Sequence, residues 1–344
     1  MSQNVVRPAP EPDVAISSRI RLARNLENCP FTPRMTREQS GMVLSKVKDA
    51  IFSWSEEAQK YVFIDMNNSA PVDRQVLVEK HLISPEFIEG DRNRAAIVSK
   101  DGIISIMVNE EDHLRLQCIF PGMQLEEAWK LCDNLDTMLG EQLDFAYDKG
   151  FGYLTCCPTN VGTGMRASVM LHLPALSMTG YIKNILEACS KLGVAVRGIY
   201  GENSEATGNM FQISNQVSLG QKEEEIIAGI TNIASQIIGQ ERTLRSELYK
   251  QNPVRFEDKI FRSLGILSNA RLISTEESIK LLSDVRLGVI TGLISGMELD
   301  ELNKMIMMVQ PAYMQKLSGG QLSPDERDQK RAEFIRKKLK GRME

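Results

Sequence analysis

The sequence predicts an α+β fold, an antiparallel sheet flanked by helices followed by a small all-α domain. Three observations carry that prediction. Strand-like runs alternate apolar and polar residues, most clearly at 167–173, where Ala167, Val169, Leu171 and Leu173 share one face. Such alternation favours an antiparallel sheet with two unlike faces. Strands and helices then come in mixed groups without a regular βαβ beat, and after Gly220 only helical patterns remain.

In chain order, the first helical pattern covers 36–54, with Thr36 and Gln39 in capping-box positions. Strand-like segments follow at 61–65, 95–98 and 103–108. Leu125, Ala128, Leu131, Leu135, Leu139 and Leu143 recur at three- and four-residue steps and predict a helix over 124–143. Another over 179–192 is stopped by Gly193. One long helix reads from 223 to 249, and shorter ones cover 254–267, 275–294, 297–309 and 323–339. The boundary falls at 250–253, which divides the chain into a first domain, 1–250, and a helical domain, 251–344. Met305, Met307, Met308 and Met314 cluster in the second and suit core or interface packing.

At 344 residues the chain exceeds the length at which one core keeps growing. Its 42% hydrophobic and 25% charged residues are ordinary for a globular protein, and a formal net charge of -4 argues against a general nucleic-acid binder. Six cysteines form no Cys-x-x-Cys pair and three histidines show no ligand spacing with them, so no protein-ligated metal is expected. No apolar run of ~18 residues predicts a membrane span. A cytoplasmic protein with reduced thiols is the expectation.

Four blocks concentrate charge around short apolar elements or glycine turns. They are Ser17-Ser18-Arg19-Ile20-Arg21-Leu22-Ala23-Arg24-Asn25, Asn109-Glu110-Glu111-Asp112-His113-Leu114-Arg115, Thr155-Cys156-Cys157-Pro158 running on to Ser168, and Arg197-Gly198-Ile199-Tyr200-Gly201-Glu202 running on to Asn209. There is no Gly-x-x-x-x-Gly-Lys phosphate loop and no His-Arg-Asp catalytic loop. Gly162-x-Gly164-x-x-Ala167 is not a dinucleotide turn, because a strand rather than a helix follows it.

In order, spacing and chemistry the four blocks resemble the phosphagen (guanidino) kinases over 14–220, and among them the bacterial protein-arginine kinases of the McsB type. That resemblance implies transfer of a phosphoryl group from ATP, with Mg2+ carried on the nucleotide, to a guanidinium. It places Ser17, Arg19, Arg21, His113, Arg115, Arg166 and Arg197 on ATP, where several cations must neutralise a triphosphate. Glu111 and Glu202 are implied on opposite sides of the acceptor, fixing it and taking up a proton, with Glu110 and Asp112 in support. Cys157 falls on the family's reactive-cysteine position and would orient the guanidinium. Gly201, Asn203, Ser204 and Glu205 belong to the substrate loop that carries Glu202.

Only about sixteen residues precede the first block, whereas kinases of small guanidines carry a sizeable helical domain there. An arginine side chain of another protein is therefore the expected acceptor, ahead of free arginine or a relative. A non-catalytic adaptor on a kinase scaffold is a further reading, opposed by the intact carboxylates, cysteine and arginines. Ser323 and Pro324 open a last helix whose Arg327-Asp328-Gln329-Lys330-Arg331-Ala332 resembles the family's phosphoarginine-receptor site, with Arg327, Asp328 and Arg331 as its members. Also implied are protein substrates including a stress-gene repressor, an activator of the McsA type, a Clp-type ATPase and protease downstream, and a homodimer. Neither nucleic acid nor membrane is expected as a partner.

Overall fold

The computed structural model describes residues 9–53, 59–90, 92–198 and 206–340. Its strands are β1 (Ala15–Arg24), β2 (Tyr61–Asp65), β3 (Ala95–Ser99), β4 (Ile104–Val108), β5 (Leu114–Pro121), β6 (Tyr147–Asp148), β7 (Gly152–Tyr153), β8 (Met165–His172), β9 (Val194–Gly198) and β10 (Met210–Asn215). Among the described residues β6 and β7 form a small hairpin, and the other eight make one sheet in the order β2-β3-β4-β5-β1-β8-β10-β9. Every neighbouring pair is antiparallel.

The helices are α1 (Arg37–Phe52), α2 (Pro71–Glu79), α3 (Leu125–Gly140), α4 (Pro174–Met178), α5 (Ile182–Lys191), α6 (Glu223–Gln251), α7 (Pro253–Asn269), α8 (Thr275–Ile290), α9 (Leu299–Met308), α10 (Pro311–Ser318) and α11 (Pro324–Lys340). Thr36 caps α1 as expected: its hydroxyl accepts from Gln39 N–H at 3.2 Å, and the Gln39 carbonyl accepts from Thr36 N–H at 2.9 Å. Periodicity did not reveal α2 or α10, each of which begins with a proline, or the strands β1 and β5, where charge breaks up the apolar pattern.

Strand β1 occupies the middle of the sheet, between β5 and β8. Its Ile20 and Leu22 turn to one face and are fully buried with Leu116, Ala167, Val169 and Ile213 beneath α3 and α6. Arg24 closes that core at the strand end. Its guanidinium grips Asp136 of α3 with Nε at 3.0 Å and Nη2 at 2.8 Å, donates to the carbonyls of Ala23 and Thr163, and lies 3.4 Å over the Tyr153 ring.

A second core gathers apolar residues of α7, α8, α9 and α11, among them Ile260, Leu282, Leu302 and Ile335, and takes in Met210 of β10. Its junction with the sheet is polar and fully engaged. Arg286 of α8, buried, donates to the carbonyls of Pro12 and Asp13, to Asn303 Oδ1 and to His172 Nδ1. Because His172 Nδ1 accepts that bond, its Nε2 carries the hydrogen toward Ser283 Oγ, 2.7 Å away, and Asn209 donates to the same hydroxyl at 2.9 Å. On the opposite side Glu79, at the end of α2, accepts from the N–H groups of Ala312 and Tyr313 at 2.7 Å each, so it caps the N-terminus of α10.

Burial, with the Arg286 guanidinium next, drives the His172 pKa well below the ordinary 6.5. Only the unfolded chain therefore takes up this proton below pH 6.5, and stability contributed by the neutral imidazole is lost as pH falls from there. Denaturant unfolding between pH 7.5 and 5.5 is expected to show His172 costing about 1.4 kcal/mol at the lower limit. The His172→Gln variant is expected to lose that share of the slope.

Candidate active site

Residues paired across antiparallel strands point to the same side of the sheet, as do alternate residues along each strand. On β1, Arg21 stands opposite Arg166 of β8 and Gln117 of β5, while Arg19 stands opposite Ser168 and Ala23 opposite Arg115. Farther out, Gln212 of β10 pairs with both Met170 of β8 and Arg197 of β9. Register therefore lays Arg19, Arg21, Arg115, Arg166 and Arg197 on one face, the face that α3 and α6 leave uncovered.

These five form the floor of a cleft of about 870 Å3. One wall runs from Gln75 through His81 to Glu86, and Gln310 and Pro311, at the start of α10, complete the rim. Gln212 accepts from Arg19 Nη2 at 2.8 Å, and Ser214 Oγ receives Arg166. Glu110 holds Arg115 at 2.7 Å. Arg21 Nε is buried with no hydrogen-bond partner among the described residues.

Electrostatics follow from this crowding. Burial, and then the repulsion of Arg115 and Arg166, lowers the Arg19 pKa to about 10. Burial followed by Arg19, Arg115 and Arg166 acts on Arg21 in the same direction and more strongly, while for Arg166 burial is joined by Arg197 and Arg115. A bound polyanion would remove the mutual repulsion and satisfy Arg21 Nε.

The β4–β5 turn, 109–113, supplies the acidic end. Asp112 accepts from Asn25 Nδ2 at 2.6 Å and from Cys156 N–H at 2.7 Å, so one carboxylate ties together three of the sequence blocks. Against burial, Arg115, Ser84 and the Glu111 N–H hold Glu110 below the usual carboxylate range. Glu111 is exposed, and its pKa is raised by partial burial and then by Asp112 and Glu110. Cys157 Sγ lies 3.1 Å from Thr159 Oγ1, whereas burial and Asp112 push the Cys156 thiol up to about 12.

Other expected residues fall in different places. Ser17 lines a small extension of the cleft with Met170 and His81. The expectation that His113 binds ATP is corrected: the ring is buried, Nδ1 accepts from Leu26 N–H and Nε2 donates to Pro30 O, both at 2.9 Å. That engagement, with burial depressing its pKa, makes it a neutral structural histidine. Glu202 and its companions Gly201, Asn203, Ser204 and Glu205 lie outside the described residues. Of the last-helix motif, Arg327 lines a separate cavity of about 750 Å3 beside Lys316 and Gln75. Arg331 is buried and donates to Val309 O and Ile273 O at 2.7 and 2.8 Å, and it also grips Asp328.

Sequence reading missed His81, Gln117, Gln212 and Gln310 in the cleft. Two had a signal available: Gln117 is two residues beyond Arg115 on a strand, so it shares its face, and Gln212 belongs to an alternating run. His81 comes from an irregular turn with φ 57, and Gln310 arrives from the helical part of the chain, so neither had a local one.

The family model for the ATP:guanido phosphotransferase C-terminal catalytic domain matches residues 42–244, and that for the protein-arginine kinase McsB C-terminal domain matches 253–344. The protein-arginine kinase of Caldanaerobacter subterraneus subsp. tengcongensis is 52% identical over 95% of this chain and 97% of its own length. That of Bacillus subtilis is 48% identical over 96% and 91%. Among solved structures, lombricine kinase shares the fold with a TM-score of 0.61 at 23% identity, covering 72% of this chain and 74% of its own. The duplicated taurocyamine kinase from Schistosoma mansoni with bound transition state analog components gives 0.60 at 26% identity, covering 70% and 35%. The chain belongs to the ATP:guanido phosphotransferase family, in the branch whose C-terminal domain is that of the protein-arginine kinase McsB.

Proposed function

We propose that this chain transfers the γ-phosphoryl group of ATP to the guanidinium of arginine side chains in other proteins. The observation that carries the reading is one sheet face on which five arginines run into the acidic turn of Glu110, Glu111 and Asp112. A triphosphate fits the arginine floor and offers Arg21 Nε its acceptor. Mg2+ enters on the nucleotide, coordinated by phosphate oxygens and water. Similarity to protein-arginine kinases over nearly the whole chain favours a protein acceptor over a free metabolite.

In the transfer step one acceptor nitrogen attacks the γ-phosphorus in line, the bond to the ADP oxygen breaks, and the proton lost by the guanidinium passes to a carboxylate. Glu111 is that carboxylate in this reading: its raised proton affinity suits a base, and it stands beside the Cys157 loop. Cys157 orients the guanidinium, and Glu202 would approach from the other side. The arginines screen charge as it spreads over the transferred group.

Finer parts of the proposal rest on the resemblance. A phosphoarginine receptor would use the Arg327 cavity, with Asp328 released from Arg331. A homodimer, an activator of the McsA type, a repressor substrate and a Clp-type protease downstream complete it, with action in the cytoplasm. No helix among the described residues is long and apolar enough to cross a membrane.

Incubation with Mg-ATP, an unfolded arginine-containing protein and free arginine, followed by mass spectrometry at neutral pH, is expected to find phosphoarginine in the protein. Phosphorylation of free arginine alone would overturn the acceptor assignment. The Glu111→Gln variant is expected to lose about 10^2–10^4-fold in kcat with an unchanged melting temperature. In the wild type, activity is expected to fall on acidification through a pKa above the ordinary glutamate value, because protonated Glu111 cannot accept the proton. For Arg21→Gln the expected result is two-sided: the nucleotide-free protein gains about 0.5–2 kcal/mol as repulsion is relieved, while KM for ATP rises. Loss of stability in that variant would contradict the charge assignment.

A further inference from the structure

Next to the Cys157 loop the surface carries an apolar rim that phosphoryl transfer itself does not require. The β6–β7 hairpin leaves Tyr147 and Phe151 each 60% exposed, and the neighbouring turn leaves Val217 49% and Leu219 47% exposed. Single exposed apolar residues are ordinary, but several brought together mark an interaction site. The two segments that carry these four meet at one stretch of chain, 157–162. Tyr153 N–H donates to Gly162 O at 2.8 Å, and Ser218 Oγ donates to Val161 O at 3.0 Å. At Gly162, with φ 114, a Cβ would stand 2.8 Å from the Leu219 Cα, so the two segments touch backbone to backbone.

The Tyr147 end of the rim is fixed from beneath. Tyr147 packs edge-on against Tyr153 with ring centroids 5.2 Å apart, and Tyr153 lies against the Arg24 guanidinium that Asp136 immobilises. Aromatic side chains already held in place lose little freedom on binding.

We infer that this rim docks the polypeptide carrying the acceptor arginine, as an extended segment whose apolar side chains flank that arginine. Such segments are buried in folded proteins and exposed in unfolded ones. The inference rests on the protein-arginine reading. Two features select this occupant. An arginine side chain is short, so a guanidinium at Cys157 requires its backbone to cross the surface immediately around 157–162, where the rim lies. Charge is also complementary: Glu110, Asp112 and Glu86 all act on Glu111, making the mouth of the site acidic toward a cation while the rim beside it is apolar.

The test uses the full chain, Mg-ATP and two labelled peptides, each with one arginine, flanked in one by leucine and valine and in the other by serine and glycine. Steady-state transfer and nucleotide-free anisotropy are measured for the wild type and for the Phe151→Ser/Leu219→Ser double variant, with Tyr147→Ser/Val217→Ser as a second pair should the first misfold. Expected is tighter use of the apolar-flanked peptide by the wild type. In the variant its KM is expected to rise about tenfold, as hot-spot truncation does. The same variant should keep kcat, KM for ATP and the serine-glycine peptide unchanged. Equal KM for both peptides in the wild type, or equal loss for both in the variant, overturns the rim. If the wild type phosphorylates free arginine and neither peptide, the acceptor reading fails, and anisotropy decides the rim separately: binding of the apolar-flanked peptide that the variant loses supports it, and no difference overturns it.

Discussion

Repulsion among guanidiniums held on one sheet face is the constraint on which the site depends. Arg19, Arg21 and Arg166 cannot relax away from one another, because β1 is hydrogen-bonded on both edges and its opposite residues are locked into the core. An antiparallel sheet with helices on one side leaves its second face free to be polar, and this chain uses that freedom for cations. Pairing of Arg115 with Glu110 offsets part of the charge, yet on top of burial, the larger cause, the neighbouring guanidiniums still lower the pKa values of Arg19 and Arg21. The cleft is in this sense prepared for a polyanion before one arrives, which is how electrostatic preorganisation favours phosphoryl transfer.

The helical part of the chain is bound into this arrangement at two places. Arg286, His172, Ser283 and Asn209 link α8 to the inner strands, while Glu79 joins α2 to the N-terminus of α10. The second link matters for the cleft, since Glu79, Gln310 and Pro311 all line it. Pro311 also lines the cavity that contains Arg327. One short helix thus borders both the arginine-floored cleft and the second cavity, so a displacement of α10 would reach the two together.

Legibility in the sequence followed the strength of local signals. The capping box at Thr36 and the leucine spacing of α3 announced their helices, and apolar alternation announced β8. Motif order identified the five arginines because their chemistry is unusual as a set, but only register could show that they share a face. His113 was misread for the opposite reason. It sits inside a motif, and nothing local discloses that Leu26 N–H and Pro30 O, more than eighty residues away, hold both of its nitrogens. Gln310 was invisible because its place in the cleft is created by tertiary packing of α10 on α2.

Arginine itself illustrates why composition and spacing stop short of function. Arg24, Arg286 and Arg331 are among the largest fully buried side chains, and each is supplied with carbonyl or carboxylate acceptors by several segments. Arg21 lies three residues before Arg24, which ends the same strand, yet among the described residues its Nε is buried without an acceptor. Strand geometry explains the divergence: residues three apart on a strand point to opposite faces, so Arg24 is carried to the side packed by α3 and Arg21 to the open cleft. A guanidinium whose acceptors the fold provides stabilises that fold, and one whose acceptors the fold withholds is left to be completed by a ligand. The same side chain is thereby directed into the core or into the open cleft by the parity of its position along one strand.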